Sequence, residues 1–252
     1  MLITVLASGS SGNCYVVTEN GTSVIIDAGI SMKKIREGVE KALLKLSDIS
    51  GILVTHEHSD HISGLPMLIK HYDIPIYTTN QIAIEINRKG ICDKARINII
   101  EPNKSFIIGN LSIKAFNTPH DSADSVGYVF GQDKRLGFAT DTGCVTENMR
   151  NALKGVSVAL IEANHDVEML KNGSYPAFLK RRILSDTGHL SNEKSGELAL
   201  FLESNGTKKI ILGHLSKDNN TPEKAKKSVE DKIVGSAEIY VAPATGFLEV
   251  SV

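Results

Sequence analysis

Between Thr55 and His61 the chain reads THEHSDH, which puts three of its eight histidines and an aspartate within six residues. Imidazole and carboxylate at i, i+2, i+4 and i+5 are first-choice ligands for borderline divalent metals. The stretch follows GILVT at 51–55, an apolar run rich in β-branched residues that reads as a strand. Where the chain leaves that strand, His56 and His58 point the same way and can share one ion. Asp60 and His61 fall where the chain turns into the next helix and can address a second. One hexapeptide cannot fill the roughly four to six positions around either ion, so the fold has to bring more ligands from elsewhere.

Position along the chain identifies them. SIKAF at 112–116 leads to His120, RLGFAT at 135–140 to Asp141, and KIILG at 209–213 to His214. Each candidate sits just past the end of an apolar strand, where side chains converge at the rim of a sheet. His71 follows no such run, and its place on an amphipathic stretch makes it an ordinary surface histidine. Further strands are expected at 3–6, 23–27 and 158–162, and a tight hairpin at FIIGNLSI around Gly109-Asn110. Helical spacing covers Ser31–Leu46, His61–Tyr72, Thr79–Arg88, Asn192–Glu203 and Thr221–Ile233. In the first of these, Ser31 is the N-cap and Ile35, Val39, Ala42, Leu43 and Leu46 form the apolar stripe. Two sheets with helices outside them, in one domain spanning residues 1–252, is the packing these elements favour.

Composition removes several alternatives. The 252 residues carry 28 basic and 29 acidic side chains, a net charge of -1, so no global field draws in a polyanion. Three cysteines without CxxC spacing speak against a disulfide framework or a zinc knuckle and fit a reducing compartment. No apolar run reaches the roughly 18 residues of a membrane span, and the first residues lack a basic leader. A soluble, cytoplasmic protein is expected. SGSSGN at 8–13 is Gly-rich but lacks GK[ST], which rejects a nucleotide P-loop.

THEHSDH, together with Asp27 in IIDAG, His120 in TPH, Asp141 in ATDTG and His214 in LGH, resembles the metallo-β-lactamase superfamily. SGSSGNCY at 8–15, EANHD at 162–166, GHLSNE at 188–193 and GHLSKDNNTPE at 213–223 resemble its YycJ/WalJ-type branch of DNA-processing metallo-hydrolases. The resemblance implies an α/β, four-layer αββα sandwich of two mixed sheets flanked by helices. It implies one divalent ion on His56, His58 and His120, another on Asp60, His61 and His214, and Asp141 bridging both. Zinc or manganese is the expected metal, and DNA the expected substrate, degraded as by a 5′-to-3′ exonuclease. Two departures stand out. The stretch between Asp141 and His214 is too short for the extra domain of the larger RNA-processing relatives, and Ala163 occupies a position where a polar residue is expected.

Two divalent ions suit phosphodiester hydrolysis because they acidify a bridging water, hold a non-bridging oxygen and stabilise charge on the attacking and leaving oxygens. Asp60 can orient the attacking water or accept its proton, and Asp27 can receive the second N–H of a ligand imidazole. The leaving alkoxide needs a proton. GHLS occurs twice, and His189, which follows a polar turn rather than a strand, is the better candidate for a general acid or a phosphate contact. His165, with Glu162 and Asp166, is the alternative acid. Lys180-Arg181-Arg182 and Lys224, Lys226 and Lys227 are candidate phosphate contacts, while Cys144 reads as a small hydrophobe. With no tryptophan and 5% aromatic residues, a stacking platform for single strands is thin. The competing enzyme reading is a hydrolase of thioesters, lactones or small phosphodiesters on the same fold. A metal-dependent scaffold is the third reading, disfavoured because a purely structural site would be closed and cysteine-rich.

Overall fold

The computed structural model describes residues 1–252. Its strands are β1 (Leu2–Ala7), β2 (Cys14–Glu19), β3 (Thr22–Ile26), β4 (Ile49–Leu53), β5 (Ile76–Thr78), β6 (Ile97–Ile99), β7 (Ser105–Ile108), β8 (Leu111–Asn117), β9 (Val126–Phe130), β10 (Leu136–Ala139), β11 (Val158–Glu162), β12 (Lys209–Gly213), β13 (Glu238–Val241) and β14 (Leu248–Ser251). They form two mixed seven-stranded sheets, ordered β14-β1-β2-β3-β4-β5-β6 and β13-β12-β11-β10-β9-β8-β7. The chain divides into two compact units, one of residues Met1–Ala115, Ser122–Val126 and Pro243–Val252, the other of Phe116–Asp121 and Gly127–Ala242.

In the first unit the sheet is antiparallel from β14 to β3 and parallel from β3 to β6. Parallel neighbours need crossovers, and helices supply them. They are α1 (Met32–Lys41), α2 (Ser59–Ile62), α3 (Leu65–His71) and α4 (Asn80–Arg88). Ile35 and Val39 of α1, Leu65 and Leu68 of α3, and Ile82 and Ile86 of α4 pack with Val16, Ile25, Ile52 and Ile76 of the strands. Burying each of these aliphatic side chains contributes about 1.5–3 kcal/mol.

In the second unit β10, β11, β12 and β13 run parallel and β9 antiparallel. Its helices are α5 (Glu147–Leu153), α6 (Val167–Asn172), α7 (Ala177–Leu184), α8 (Asn192–Ser204) and α9 (Pro222–Glu230). Met149, Leu198, Leu202 and Val229 cover Ala159, Ile161, Ile210 and Leu212. Within each sheet the parallel strands end on one rim of that sheet, and there it carries its ligand-type residues.

The expected strands, the hairpin at Gly109 and the Ser31 cap are all present; the Ser31 side chain accepts the Lys34 N–H. Two helix expectations need correction. The first helix stops at Lys41 rather than Leu46: Leu43 adopts a left-handed backbone (φ 60°) and is 95% exposed, outside the apolar stripe. The stretch expected as one helix over 61–72 breaks into α2 and α3 at Gly64, whose N–H bonds Ala28 O (2.7 Å), while Pro66 restarts the helix. No helix is long and apolar enough to cross a membrane.

Candidate metal centre

In the first unit, β4 delivers Thr55 and His56, and α2 carries Asp60 and His61. Asp27, immediately after β3, is fully buried and is the hub. Its Oδ1 accepts the Thr55 N–H (2.8 Å), and its Oδ2 accepts the Thr55 hydroxyl (2.8 Å) and lies 2.7 Å from His61 Nδ1. Burial pushes this carboxyl above its ordinary range, against the pull of His61 and Thr55. The Thr55 hydroxyl has spent its proton on Asp27, so its oxygen accepts from His56 Nδ1 at 3.1 Å. Both imidazoles are thereby fixed with Nδ1 as donor and Nε2 as the lone-pair nitrogen, the tautomer a metal ligand requires. The His56 ring centroid is 4.6 Å from that of His58 and 4.0 Å from that of His61, and Asp60 Oδ2 is 3.5 Å from His61 Nε2.

The SGSSGN loop closes on the same turn. Asn13 N donates to Asp60 O (2.8 Å), and Asn13 Nδ2 lies 3.1 Å from His61 Nε2 and 3.4 Å from Asp60 Oδ2. Approach of the chain here is so close that a Cβ on Gly29 would stand 1.6 Å from Asp60 O.

The second unit carries a donor cluster of its own. Asp141 follows β10, Glu162 ends β11, His214 follows β12 and His120 follows β8. Asp141 Oδ1 is 3.4 Å from His214 Nε2 and 3.8 Å from both His120 Nε2 and His189 Nδ1. The donor atoms of Asp141, Glu162, His189 and His214 all lie within 4.8 Å of one another. His120 Nδ1 donates to Gly188 O (3.0 Å), again leaving Nε2 as the lone-pair nitrogen; burial lowers its pKa, against the pull of Asp141. Asp27, Asp141 and His214 all take left-handed backbone (φ 54–57°), a conformation uncommon outside glycine that turns each side chain sharply off its strand.

Glu162 and His189 differ from the other donors. Glu162 Oε1 is 2.7 Å from His189 Nδ1, and Oε2 accepts the Thr142 N–H (2.8 Å) and the Leu190 N–H (3.2 Å). Both oxygens are occupied, so Glu162 serves His189 rather than a metal. The His189 side chain is 19% exposed where those of His120 and His214 are 1% and 2%, so it alone of the three reaches outward. Burial opposes charge on His189, but Glu162 overrides it and holds the pKa up at about 9.

His165 is 1% exposed and neither ring nitrogen reaches a hydrogen-bond partner; burial lowers its pKa to about 4. Of the basic candidates, Lys180 Nζ is spent on Lys171 O and Gly173 O (2.7 Å each), and Arg182 pairs with Asp121. Lys224, Lys226 and Lys227 pair with Asp166, Glu230 and Asp231. Ala163 is fully buried, its N–H bonded to Gly213 O and its carbonyl to Asn220 Nδ2 (2.9 Å each). His71 is exposed at the end of α3, and the three cysteines are free thiols. Sequence reasoning missed the roles of Thr55, Asn13 and Glu162. Glu162 had a signal, since it ends an apolar run as the ligands do.

Residues 22–215 match the family model for the beta-lactamase superfamily domain. This chain belongs to the beta-lactamase superfamily. Over 244 residues it is 41% identical to a Bacillus anthracis protein named Exodeoxyribonuclease YycJ, covering 94% of this chain and 92% of that one. Among solved structures it resembles the metallo-beta-lactamase fold protein YhfI from Bacillus subtilis, at 16% identity and a TM-score of 0.75 over 98% of each chain. It also resembles Zn(2+)-bound PqqB from Methylobacterium extorquens, at 18% identity and a TM-score of 0.76 over 100% of each. The metallo-β-lactamase fold expected from the motifs is therefore the fold of this superfamily member, and its histidine and aspartate donor sets are those of divalent-metal sites.

Proposed function

We propose that this chain is a dinuclear, metal-dependent phosphodiester hydrolase that degrades DNA from its ends as a cytoplasmic 5′-to-3′ exonuclease, its 252 residues working as one catalytic domain. His56, His58 and His120 would hold one divalent ion, Asp60, His61 and His214 the other, with Asp141 shared. The fit rests on donor chemistry: Thr55, Asp27 and Gly188 fix His56, His61 and His120 with Nε2 as the lone-pair nitrogen. When bound, zinc or manganese ions would polarise the phosphate and make water acidic enough to attack near neutral pH.

The protein's own groups do the rest. Asp60 orients the attacking water and takes up its proton. His189, charged and braced by Glu162, donates a proton to the leaving sugar oxygen. His165 is enclosed and held neutral by burial, so the proton falls to His189 rather than to it.

The Glu162–His189 pair carries this reading. An alkoxide is a poor leaving group and needs a positioned acid, whereas a thiolate leaves a thioester with little help. A pair that holds a histidine charged is built for the former. The name of the Bacillus anthracis relative points the same way. The test is a panel of 5′- and 3′-labelled DNA, RNA, a thioester and a lactone, each with Mn²⁺ or Zn²⁺. Stepwise release from the 5′ end of DNA is expected. Turnover of the thioester or lactone with none on DNA would transfer the assignment to a small-molecule hydrolase.

A further inference from the structure

Helix α7 is built into the second unit's donor cluster. Asp121, the residue after His120, receives the guanidinium of Arg182 (Nη2–Oδ1 3.1 Å), and its N–H bonds Thr187 O (3.0 Å). From the next loop His189 N donates to Ile183 O (3.0 Å), and a Cβ on Gly188 would meet Arg182 O at 2.2 Å. Lys180 Nζ ties the helix back to Lys171 O and Gly173 O. The helix therefore keeps a fixed place relative to His120 and His189.

On this anchored helix stands an aromatic ring in water. Phe178 is 67% exposed, while Phe116, Phe130 and Phe138 are fully buried. Leu43, Ile107 and Val234 are as exposed, but they are isolated aliphatic side chains without a flat face. Phe178 has Arg181 at i+3, so ring and cation share one exposed helix face, with Ile183 buried on the other; Arg182, at i+4, is held by Asp121. A flat apolar ring beside a guanidinium group is what single-stranded nucleic acid needs: a face for a base and a charge for a phosphate.

We propose that Phe178 is the base-stacking seat of this enzyme, with Arg181 holding a phosphate beside the stacked nucleotide. The proposal rests on the nuclease reading above and adds the form of DNA selected. Phe178 lies four residues before Arg182, about 6 Å along the helix at 1.5 Å per residue. That is roughly two base steps at 3.4 Å per strand from Arg182, the residue that ties the helix to Asp121 beside His120. Bases inside a duplex already have both faces covered, and a blunt end offers only the outer face of its paired terminal base, whereas an unpaired base can turn freely onto Phe178. The seat therefore selects single-stranded or frayed ends over blunt duplex.

The test uses the metal-reconstituted protein and a short single-stranded DNA with hydrolysis-resistant phosphorothioate linkages, followed by fluorescence anisotropy. Abasic sites are placed at each position in turn. With wild type, one position near the end should weaken binding about 5- to 150-fold, the scale of one base–aromatic stack. Phe178→Ala and Phe178→Leu should bind the intact strand weaker by that factor and become indifferent to that abasic position, and Phe178→Trp should restore both. Thermal melting of each variant checks that the fold is kept. If Phe178→Ala binds the intact strand as wild type does, or keeps the same abasic profile, the stacking seat is refuted while the nuclease reading stands. If the wild type neither binds nor cleaves any nucleic acid, the nuclease reading itself falls, and the seat with it.

Discussion

His189 Nδ1 lies 2.7 Å from Glu162 Oε1, while the second oxygen of that carboxylate is held by the N–H groups of Thr142 and Leu190. The carboxylate cannot swing away to another partner, so its charge is permanently committed to one imidazole. Burial alone would make His189 neutral; Glu162 reverses this and raises the pKa to about 9. In metal-free protein the sign follows directly. The folded state holds a proton that the unfolded chain releases near pH 6.5. The stabilisation from the pair is complete below about pH 6.5 and is lost as pH rises through about 9. Melting of the metal-free protein across that range should show a fall that Glu162→Gln lacks, and side-chain NMR should place His189 well above 6.5. A His189 titration at or below 6.5 would show that the pair does not hold the proton.

The twin GHLS histidines should separate by metal content. His214→Ala removes a proposed ligand that follows β12, so bound metal and turnover should be lost together. His189→Ala removes a proton carrier, so metal content should stay and turnover should fall by about 10²- to 10⁴-fold. That deficit should shrink on a diester whose leaving group is already acidic. Metal analysis and two substrates decide it: loss of metal from His189→Ala, or an equal deficit on both substrates, reverses the roles.

Asp27→Asn tests the hub beneath the first unit's proposed ligands. The amide cannot accept from Thr55 N, the Thr55 hydroxyl and His61 Nδ1 as a carboxylate does, so the His61 tautomer is no longer fixed. A drop in metal affinity of about 10- to 100-fold is expected, read by titration with a competing chelator. Unchanged affinity would show that Asp27 serves packing alone.

How much of this was legible in the sequence depends on the distance over which each signal acts. His56, His120, Asp141 and His214 were readable because each ends an apolar run, and an apolar run reports a buried strand directly. Leu43 was misplaced because helical spacing does not reveal where a left-handed residue ends the helix. Asn13 and Thr55 were invisible as site residues: their importance lies in contacts with Asp60, His61 and Asp27, up to 48 residues away in the chain. Glu162 was seen, but beside His165, its neighbour in sequence. The fold gives it instead to His189, 27 residues on.

That reassignment leaves His165 with a physical signature of its own. Its ring is 1% exposed, neither nitrogen is hydrogen-bonded, and burial lowers its pKa to about 4. The unfolded chain takes up a proton here near pH 6.5, but the folded one resists until about pH 4. Stability is therefore lost as pH falls between those values, on the order of 2–3 kcal/mol from this group by pH 4. His165→Leu keeps the backbone bond from Asn192 N to His165 O and a similar volume without the titrating ring. Its melting temperature should fall less between pH 7 and pH 4.5 than that of wild type. A proton carrier would behave otherwise: its loss would cost turnover most on diesters with poor leaving groups. For His165→Leu any change in turnover should be the same on activated and natural diesters. A leaving-group-dependent deficit, together with acid sensitivity equal to wild type, would return the general acid to His165.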